Sequence, residues 1–196
     1  MMVMGTVREI RYDQVAPGDV AFDRGRSTYG RLVALSTRED VAHCFVYHRR
    51  LGTTPDGRPR WLIGEMSARR GAQFSERVEP PAVVLRPWRL ETERRRLLAH
   101  SRELVRASAQ YDWLEIGRIV VALASGRVLD RGDTARTICV AHVHRAILTA
   151  RPDLAGSLPS IAEVVTPGRL LDALRDQRPA TVRRSLDGLP NVVTAA

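Results

Sequence analysis

The sequence predicts an α+β domain in which helices pack on a mostly antiparallel sheet. β-branched and aromatic segments separated by short turns fill the first half of the chain, and helical spacing of apolar residues marks the second half. Strands early and helices late are typical of this class. The 196 residues, 44% apolar and 27% charged, suffice for a buried core and exclude general disorder. We expect one domain over residues 1–176 and a C-terminal arm over residues 177–196.

The predicted strands follow one another up to residue 87. A turn at Pro17-Gly18 leads into a strand that starts at Val20, and a Ser/Thr-led apolar segment at 27–37 predicts a short helix. The sequence Gly-Thr-Thr-Pro-Asp-Gly at 52–57 indicates the turn of a hairpin. Further strands are expected at 41–48, 60–66, 73–78 and 82–87.

The second half of the chain is predicted to be mainly helical. Leu90, Leu97 and Leu98 form an apolar stripe, while Arg94–Arg96 and interleaved glutamates form a solvated face. Pro167 suits the first turn of a short last helix. The expected helices span 90–108, 111–123, 134–149 and 167–176, with loops at 125–133 and 151–160.

The charge of the chain is strongly basic. All 31 basic residues are arginine, and the formal net charge is +9, which suits a phosphate-rich partner. The arginines are spread along the chain, however, only 5% of residues are aromatic, and no RNP-like or zinc-finger pattern is present. We therefore expect no specific nucleic-acid partner and a weak attraction to anionic surfaces such as a cell wall or membrane. The oligomeric state is left open.

The N-terminal segment does not predict a signal peptide, because Arg8, Glu9 and Arg11 interrupt it before an apolar region can form. No apolar run approaches the roughly 18 residues that a membrane-spanning helix needs. We expect a chain that starts in a cytoplasm with free thiols, and we leave a phage origin or export by another route open.

The two cysteines differ in their predicted surroundings. They are too few for a disulfide scaffold or a four-cysteine zinc site. Cys44 lies mid-strand and is interpreted as a small buried hydrophobe. Cys139 follows the capping residues Asp133-Thr134 and Thr137 at the start of a helix. A helix N-terminus stabilises a thiolate and offers backbone N–H groups to an oxyanion, as a nucleophilic cysteine needs. Taken alone, Cys139 is still interpreted first as an inert core cysteine, and the pair His43 and Glu65 makes it the candidate nucleophile.

His43 and Glu65 form a candidate pair. They lie on the two strands of the predicted hairpin, equally far along the chain from Thr54 in its turn, so they can face each other on one side of the sheet. A one-residue register shift would separate them. If they meet, Glu65 can accept the second imidazole N–H, which fixes the tautomer and raises the basicity of His43.

Several short motifs stand in a characteristic order between about Pro17 and Leu174. They are Pro17-Gly18-Asp19-Val20-Ala21-Phe22, Val41-Ala42-His43, Gly64-Glu65-Met66 followed by Gly71, Tyr111-Asp112, Thr137-Ile138-Cys139 and Thr166-Pro167-Gly168-Arg169-Leu170-Leu171. This order and spacing resemble the permuted NlpC/P60 superfamily, the papain-like group that includes YiiX-type proteins and lecithin:retinol acyltransferase-like enzymes. The resemblance implies a papain-like fold.

The resemblance also implies roles for individual residues. Cys139 would be the nucleophile, His43 the base and Glu65 the orienting residue of a thiol hydrolase, with neither metal nor cofactor. Tyr111 matches a position that lines the site or donates to the oxyanion, although a tyrosine packed on the core is an equal alternative. Asp19 would support the opening turn.

The implied reaction is acyl transfer through a thioester, on an amide bond of a peptidoglycan-type peptide. Two alternatives stay open: an acyl-lipid thioesterase or acyltransferase of the same fold, and a non-catalytic binding or structural module. The second alternative draws on departures from the family pattern. Val140-Ala141 stand where the family often has Ser and Glu, and Cys44-Phe45 stand where it has smaller residues.

The remaining histidines are interpreted as structural. His142, three residues after Cys139, could complete a Cys139/His142/His43 zinc site, but a core or pocket-edge histidine is favoured because no ligand motif supports the metal. His144 is expected to point away from Cys139. His48 and His100 are expected on the surface.

Overall fold

A computed structural model describes residues 7–24, 28–111, 136–159 and 166–176 together with Gly117 and Val121. Gly117 and Val121 are helical, in line with the helix expected at 111–123, and Val121 is exposed. Tyr111, expected to start that helix, is a strand residue instead. The other residues of the expected helix, the 125–133 loop and the 177–196 arm lie outside the described residues.

Six strands form one antiparallel sheet, which confirms the predicted α+β class. The strand order is β1-β6-β2-β3-β4-β5, and each neighbouring pair is antiparallel. A separate parallel pair joins β7 to β8. The strands are β1 (Arg8–Glu9), β2 (Val20–Asp23), β3 (His43–Thr53), β4 (Pro59–Ser67), β5 (Gly71–Arg77), β6 (Val83–Arg86), β7 (Gln110–Tyr111) and β8 (Arg136–Thr137).

The helices match the predicted segments, with one difference at a helix start. They are α1 (Thr28–Thr37), α2 (Glu91–Arg106), α3 (Cys139–Ala150) and α4 (Pro167–Arg175), with short 3-10 helices at Tyr12–Gln14 and Pro152–Leu154. Thr166 caps α4 by accepting a hydrogen bond from the Arg169 N–H, and Pro167 occupies the first turn as expected. No helix among the described residues is long and apolar enough to span a membrane.

The two faces of the sheet bury separate clusters of apolar residues. Alternation along each strand sends successive side chains to opposite faces. The helix-side core joins strand residues such as Phe22, Cys44 and Val46 to apolar residues of α2, α3 and α4. The outer core contains Ala21, Phe45, Tyr47, Trp61, Ile63 and Val84.

The opening turn is held by a buried carboxylate. Asp19 is fully buried, and its Oδ2 accepts a 2.8 Å hydrogen bond from the Ala16 N–H. The Arg86 guanidinium binds both carboxylate oxygens at 2.8 Å. Gly18 has a φ of 90°, a conformation that favours glycine. The expected supporting role of Asp19 in this turn is confirmed.

The arginine-rich helix α2 has the predicted two faces, with two exceptions. Leu97 and Leu98 are buried, whereas Glu91 pairs with both Arg94 and Arg95 at the surface. Leu90, expected in the apolar stripe, is the N-cap and is 61% exposed, and Glu93, expected on the solvated face, is buried. This part of the positive charge is therefore balanced on a solvated helix face.

The hairpin register differs from the prediction by two residues. Phe45, not His43, is the partner of Glu65, and β3 continues to Thr53. Irregularities between Tyr47 and Arg49 and between Arg50 and Gly52 insert residues into β3 and displace the pairing. Because side chains repeat every two residues, His43 and Glu65 still share one face, as diagonal neighbours.

The start of α3 also differs from the prediction. The expected helix at 134–149 begins only at Cys139, because Arg136 and Thr137 form β8 beside β7. Ile138 is the N-cap and makes no side-chain capping bond, so the expectation of a capped start at Asp133, Thr134 or Thr137 was wrong. Cys139 is consequently the first residue of the helix.

Candidate active site

His43 is the first residue of β3, and its side chain hydrogen-bonds to that of Glu65 on β4. The two side chains are 22% and 17% exposed, and His43 Nε2 lies 2.9 Å from Glu65 Oε2. Since a carboxylate accepts, the imidazole donates its Nε2 proton to Glu65. That tautomer leaves Nδ1 as the ring nitrogen for a second partner.

Glu65 is itself held by two polar side chains of β5. Its Oε1 accepts hydrogen bonds from Ser75 Oγ at 2.6 Å and from Gln73 Nε2 at 3.3 Å. Gln73 is the register partner of Glu65, and Ser75 lies two residues further on the same face. With both oxygens engaged, the carboxylate has a fixed orientation toward His43.

Cys139 completes the group from the helix side. Its side chain is nearly buried, with the residue 7% exposed, and it lies close enough to the His43 ring for each group to shift the pKa of the other. Cys44, the residue that follows His43 in β3, also shifts the pKa of Cys139. Cys139, His43 and Glu65, the three residues expected to carry the chemistry, are thus brought together in one series with His43 in the middle.

Electrostatics favour a charged form of the Cys139–His43 pair. Burial alone would lower the pKa of His43, but hydrogen bonds to Cys139 and Glu65 outweigh it and raise the pKa to about 10. Hydrogen bonding from Cys44 lowers the pKa of Cys139 well below its usual range, against the effect of burial, and His43 lowers it further. Both pKa shifts favour a thiolate beside an imidazolium.

Glu65 and Cys44 are held in opposite protonation states around this pair. Burial raises the pKa of Glu65, but the His43, Ser75 and Gln73 hydrogen bonds reverse that effect and lower the pKa to about 2. Burial raises the pKa of the Cys44 thiol well above its usual range. Glu65 is thus charged and accepts hydrogen bonds only, while the raised pKa favours the protonated form of Cys44.

The position of Cys139 at the start of α3 also favours a negative charge on its sulfur. The first intrahelical bond of α3 runs from the His142 N–H to the Ile138 carbonyl. N–H groups of the first turn point out of a helix along its axis, where they favour a thiolate or a developing oxyanion.

Tyr111 is placed through its backbone only. It is the last residue of β7 and pairs with Thr137, two residues before Cys139. The main chain of Tyr111 is thereby tied to the strand that leads into α3. Its expected role at the site stays a prediction.

The other histidines belong to the helix-side interior. His48 Nε2 lies 2.9 Å from Ser101 Oγ, and that oxygen lies 3.0 Å from His142 Nε2, with all three residues buried. The prediction that His48 is a surface residue was wrong. Gly64 makes its burial possible, because a Cβ at that position would lie 2.7 Å from His48 Nε2.

The two remaining predictions for histidines have different outcomes. His100 is half-buried, not on the surface, and burial lowers its pKa. His144 Nε2 donates to the Pro159 carbonyl at 2.9 Å, so this ring faces away from Cys139 as expected. Within the described part of the chain, no three His, Cys, Asp or Glu side chains are grouped to hold a metal ion. The alternative Cys139/His142/His43 zinc site is therefore not formed by these residues.

Three residues at the site were missed from the sequence. Ser75 and Gln73 could have been found, since they alternate on the strand that follows Glu65. Cys44 was interpreted as inert, because strand alternation directs it away from His43.

Comparison with models of known protein families and with curated proteins finds no match for this chain.

Proposed function

We propose that this protein is a thiol hydrolase of papain-like, permuted NlpC/P60 type that acts by acyl transfer through a thioester. The observation that carries the proposal is the series Cys139–His43–Glu65, in which His43 hydrogen-bonds to Glu65 at 2.9 Å and lies close enough to Cys139 to lower its pKa, with the sulfur at a helix N-terminus. A nucleophile, a base and a residue that orients the base are the parts that this chemistry needs. The chain order His, Glu, Cys and the antiparallel sheet support the papain-like assignment.

In the proposed mechanism, the Cys139 thiolate attacks the carbonyl carbon of an amide. Helix N-terminal N–H groups of α3 stabilise the oxyanion. The His43 imidazolium gives its proton to the nitrogen as the C–N bond breaks, so an amine leaves and a thioester remains. His43, now neutral, takes a proton from water as the oxygen of that water attacks the thioester, which releases a carboxylic acid and restores the Cys139 thiolate beside the His43 imidazolium. Glu65 holds the imidazole throughout and stabilises its charged form.

The substrate class we propose is an amide bond in a peptidoglycan-type peptide. Support for it comes from the sequence resemblance, while the geometry supports the reaction type. A peptide substrate also agrees with the basic chain, because bacterial wall polymers and their peptides are rich in carboxylates and attract positive charge.

Trapping of the acyl-enzyme tests this proposal. Wild-type protein is mixed with an activated acetyl ester, and peptide mapping by mass spectrometry locates the acetyl group. We expect rapid acetylation of Cys139, none in Cys139→Ser over the same time, and strong slowing in His43→Asn. His100→Asn is the matched control, because it removes a half-buried histidine that is outside the series.

Soluble muropeptides then test the substrate class. Cleavage by the wild type with release of a new amino group, lost in Cys139→Ala, is expected. If Cys44 and Cys139 both react slowly and to equal extent, and His43→Asn changes neither rate, the hydrolase proposal is wrong and a non-catalytic module is favoured.

A further inference from the structure

A buried polar bridge connects the elements that carry the candidate site. His48 lies on β3, five residues after His43, and His142 lies in the first turn of α3, three residues after Cys139. Between them, Ser101 Oγ of α2 lies 2.9 Å from His48 Nε2 and 3.0 Å from His142 Nε2. All three residues are buried, and Ser101 has no exposed surface. We call the side chains of His48, Ser101 and His142 the histidine–serine bridge.

The hydroxyl at the centre of the bridge determines where both rings carry their protons. Among the described residues, Ser101 Oγ bonds to these two ring nitrogens only. Its single proton goes to one Nε2, so the other Nε2 carries a proton of its own and donates it to the oxygen. Burial lowers the pKa of His48 to about 4 and that of His142 to about 3, so near neutral pH the bridge joins two neutral rings of opposite tautomer.

Strand β4 closes the bridge on one side. A Cβ on Gly64 would lie 2.7 Å from His48 Nε2 and 2.8 Å from Ser101 Oγ, so a side chain at this position would displace the bridge. Gly64 directly precedes Glu65, and α3 packs against both β3 and β4. The bridge thus lies where α2 meets all three elements that carry the candidate site.

We infer that the histidine–serine bridge positions the candidate site, by fixing the first turn of α3 against β3 so that Cys139 stays beside His43. This inference rests on the proposed function, because it assigns a role toward the same site. The bridge residues are positioning residues. A movement of α3 at His142 is carried over the roughly 4.5 Å of helix axis that separates it from Cys139. A misplacement of about 1 Å between a nucleophile and its base can lower the rate about 100-fold.

The test compares Ser101→Ala, which removes the bridging hydroxyl, with Ser101→Thr, which retains it. Acetylation of Cys139 by an activated acetyl ester is followed by mass spectrometry from mildly acidic to alkaline pH. Val84→Ala is the matched control, because it leaves a cavity in the outer core, on the opposite face of the sheet. Thermal unfolding of each variant measures the lost stability. If Ser101→Ala does not fold, Ser101→Cys replaces it, since a thiol fills the space but hydrogen-bonds only weakly.

We expect Cys139 in Ser101→Ala to be acetylated roughly tenfold more slowly near neutral pH, whereas Ser101→Thr stays close to the wild type. The acidic limb of the rate profile should also move to higher pH, because a thiolate that loses contact with an imidazolium forms at higher pH. Val84→Ala should lose stability but keep the wild-type rate and profile. Equal rates in Ser101→Ala and the wild type would overturn the inference. So would equal slowing in Ser101→Ala and either Ser101→Thr or Val84→Ala, because the effect would then follow packing or stability and not the hydroxyl.

The pKa of His43 separates a failure of this inference from a failure of the proposed function, because its NMR titration needs no catalysis. In Ser101→Ala this pKa should fall, since a negative sulfur that moves away no longer favours the imidazolium. If wild-type Cys139 is not acetylated, but Ser101→Ala lowers the pKa of His43 and Val84→Ala does not, the hydrolase proposal fails and the role of the bridge stands. If acetylation depends on His43 and both readouts are unchanged in Ser101→Ala, the role of the bridge is wrong and the hydrolase proposal stands.

Discussion

Replacing Glu65 with Gln is expected to lower the pKa of His43 by about one to two units. Glu65 Oε2 accepts the Nε2 proton of His43 at 2.9 Å, and both side chains are mostly buried. A hydrogen bond to a charged group contributes about 1.5–3 kcal/mol, which corresponds to about one to two pKa units. In the wild type this pKa is raised to about 10.

The direction of this change in the His43 pKa follows from the protonation state of His43 that the Glu65 carboxylate favours. Glu65 stabilises the imidazolium, so its loss lets His43 release its proton at lower pH. The thiolate–imidazolium pair then persists over a narrower pH range, and any activity that needs protonated His43 declines earlier on the alkaline side.

NMR titration of the His43 Cε1–H resonance measures the effect directly, with His43→Asn to assign the signal. Ser75→Ala is the matched control, because it removes a 2.6 Å bond to Glu65 but leaves the carboxylate charge. We expect a smaller decrease there. An unchanged or raised His43 pKa in Glu65→Gln would refute the assigned role of Glu65.

Three further predictions concern the interior. Ser101→Ala should lower the free energy of unfolding by about 1–3 kcal/mol in a urea titration near neutral pH, because His48 and His142 lose their shared partner; no change would contradict the bridging role. Burial lowers the pKa of His48 to about 4 and that of His142 to about 3, so the stability these neutral rings contribute is present above about pH 6.5 and is lost as pH falls toward those values. Unfolding measured across that range should show the decline, and a flat profile would exclude it. Asp19→Asn should cost about 3 kcal/mol or more, seen in thermal unfolding, since Arg86 loses a buried partner.

Most elements of the fold could be predicted because their signals are local. Turn residues such as Pro17-Gly18 and the 52–57 segment separate the strands, and Pro167 marks the start of α4. The register between β3 and β4 could not be predicted. It depends on the residues inserted after Tyr47 and Arg50, where β3 bends, and the sequence does not mark these positions. His43 and Glu65 nevertheless meet, since a shift of two residues preserves the face.

The start of α3 depended on a contact that is distant in sequence. Thr137 pairs with Tyr111, far earlier in the chain, and helical spacing alone gives no sign of it. As a consequence, the helix begins at Cys139 itself, and its N-terminus favours a thiolate at that residue.

The burial of His48 and His142 around Ser101 could not be predicted for a similar reason. His48 precedes two arginines and was expected on the surface, yet it is buried, next to Gly64 across the hairpin and Ser101 from α2.

The most direct test of the central claim is the ionisation of Cys139 near neutral pH. The ultraviolet absorbance of the thiolate is titrated in the wild type and in Cys139→Ser, and the difference gives the charge on this one sulfur. We expect the thiolate absorbance to persist to a pH well below the ordinary thiol pKa, and we expect His43→Asn to shift its loss to higher pH. A difference signal that emerges only near the ordinary thiol pKa of about 8.5, and that His43→Asn leaves unchanged, would contradict it.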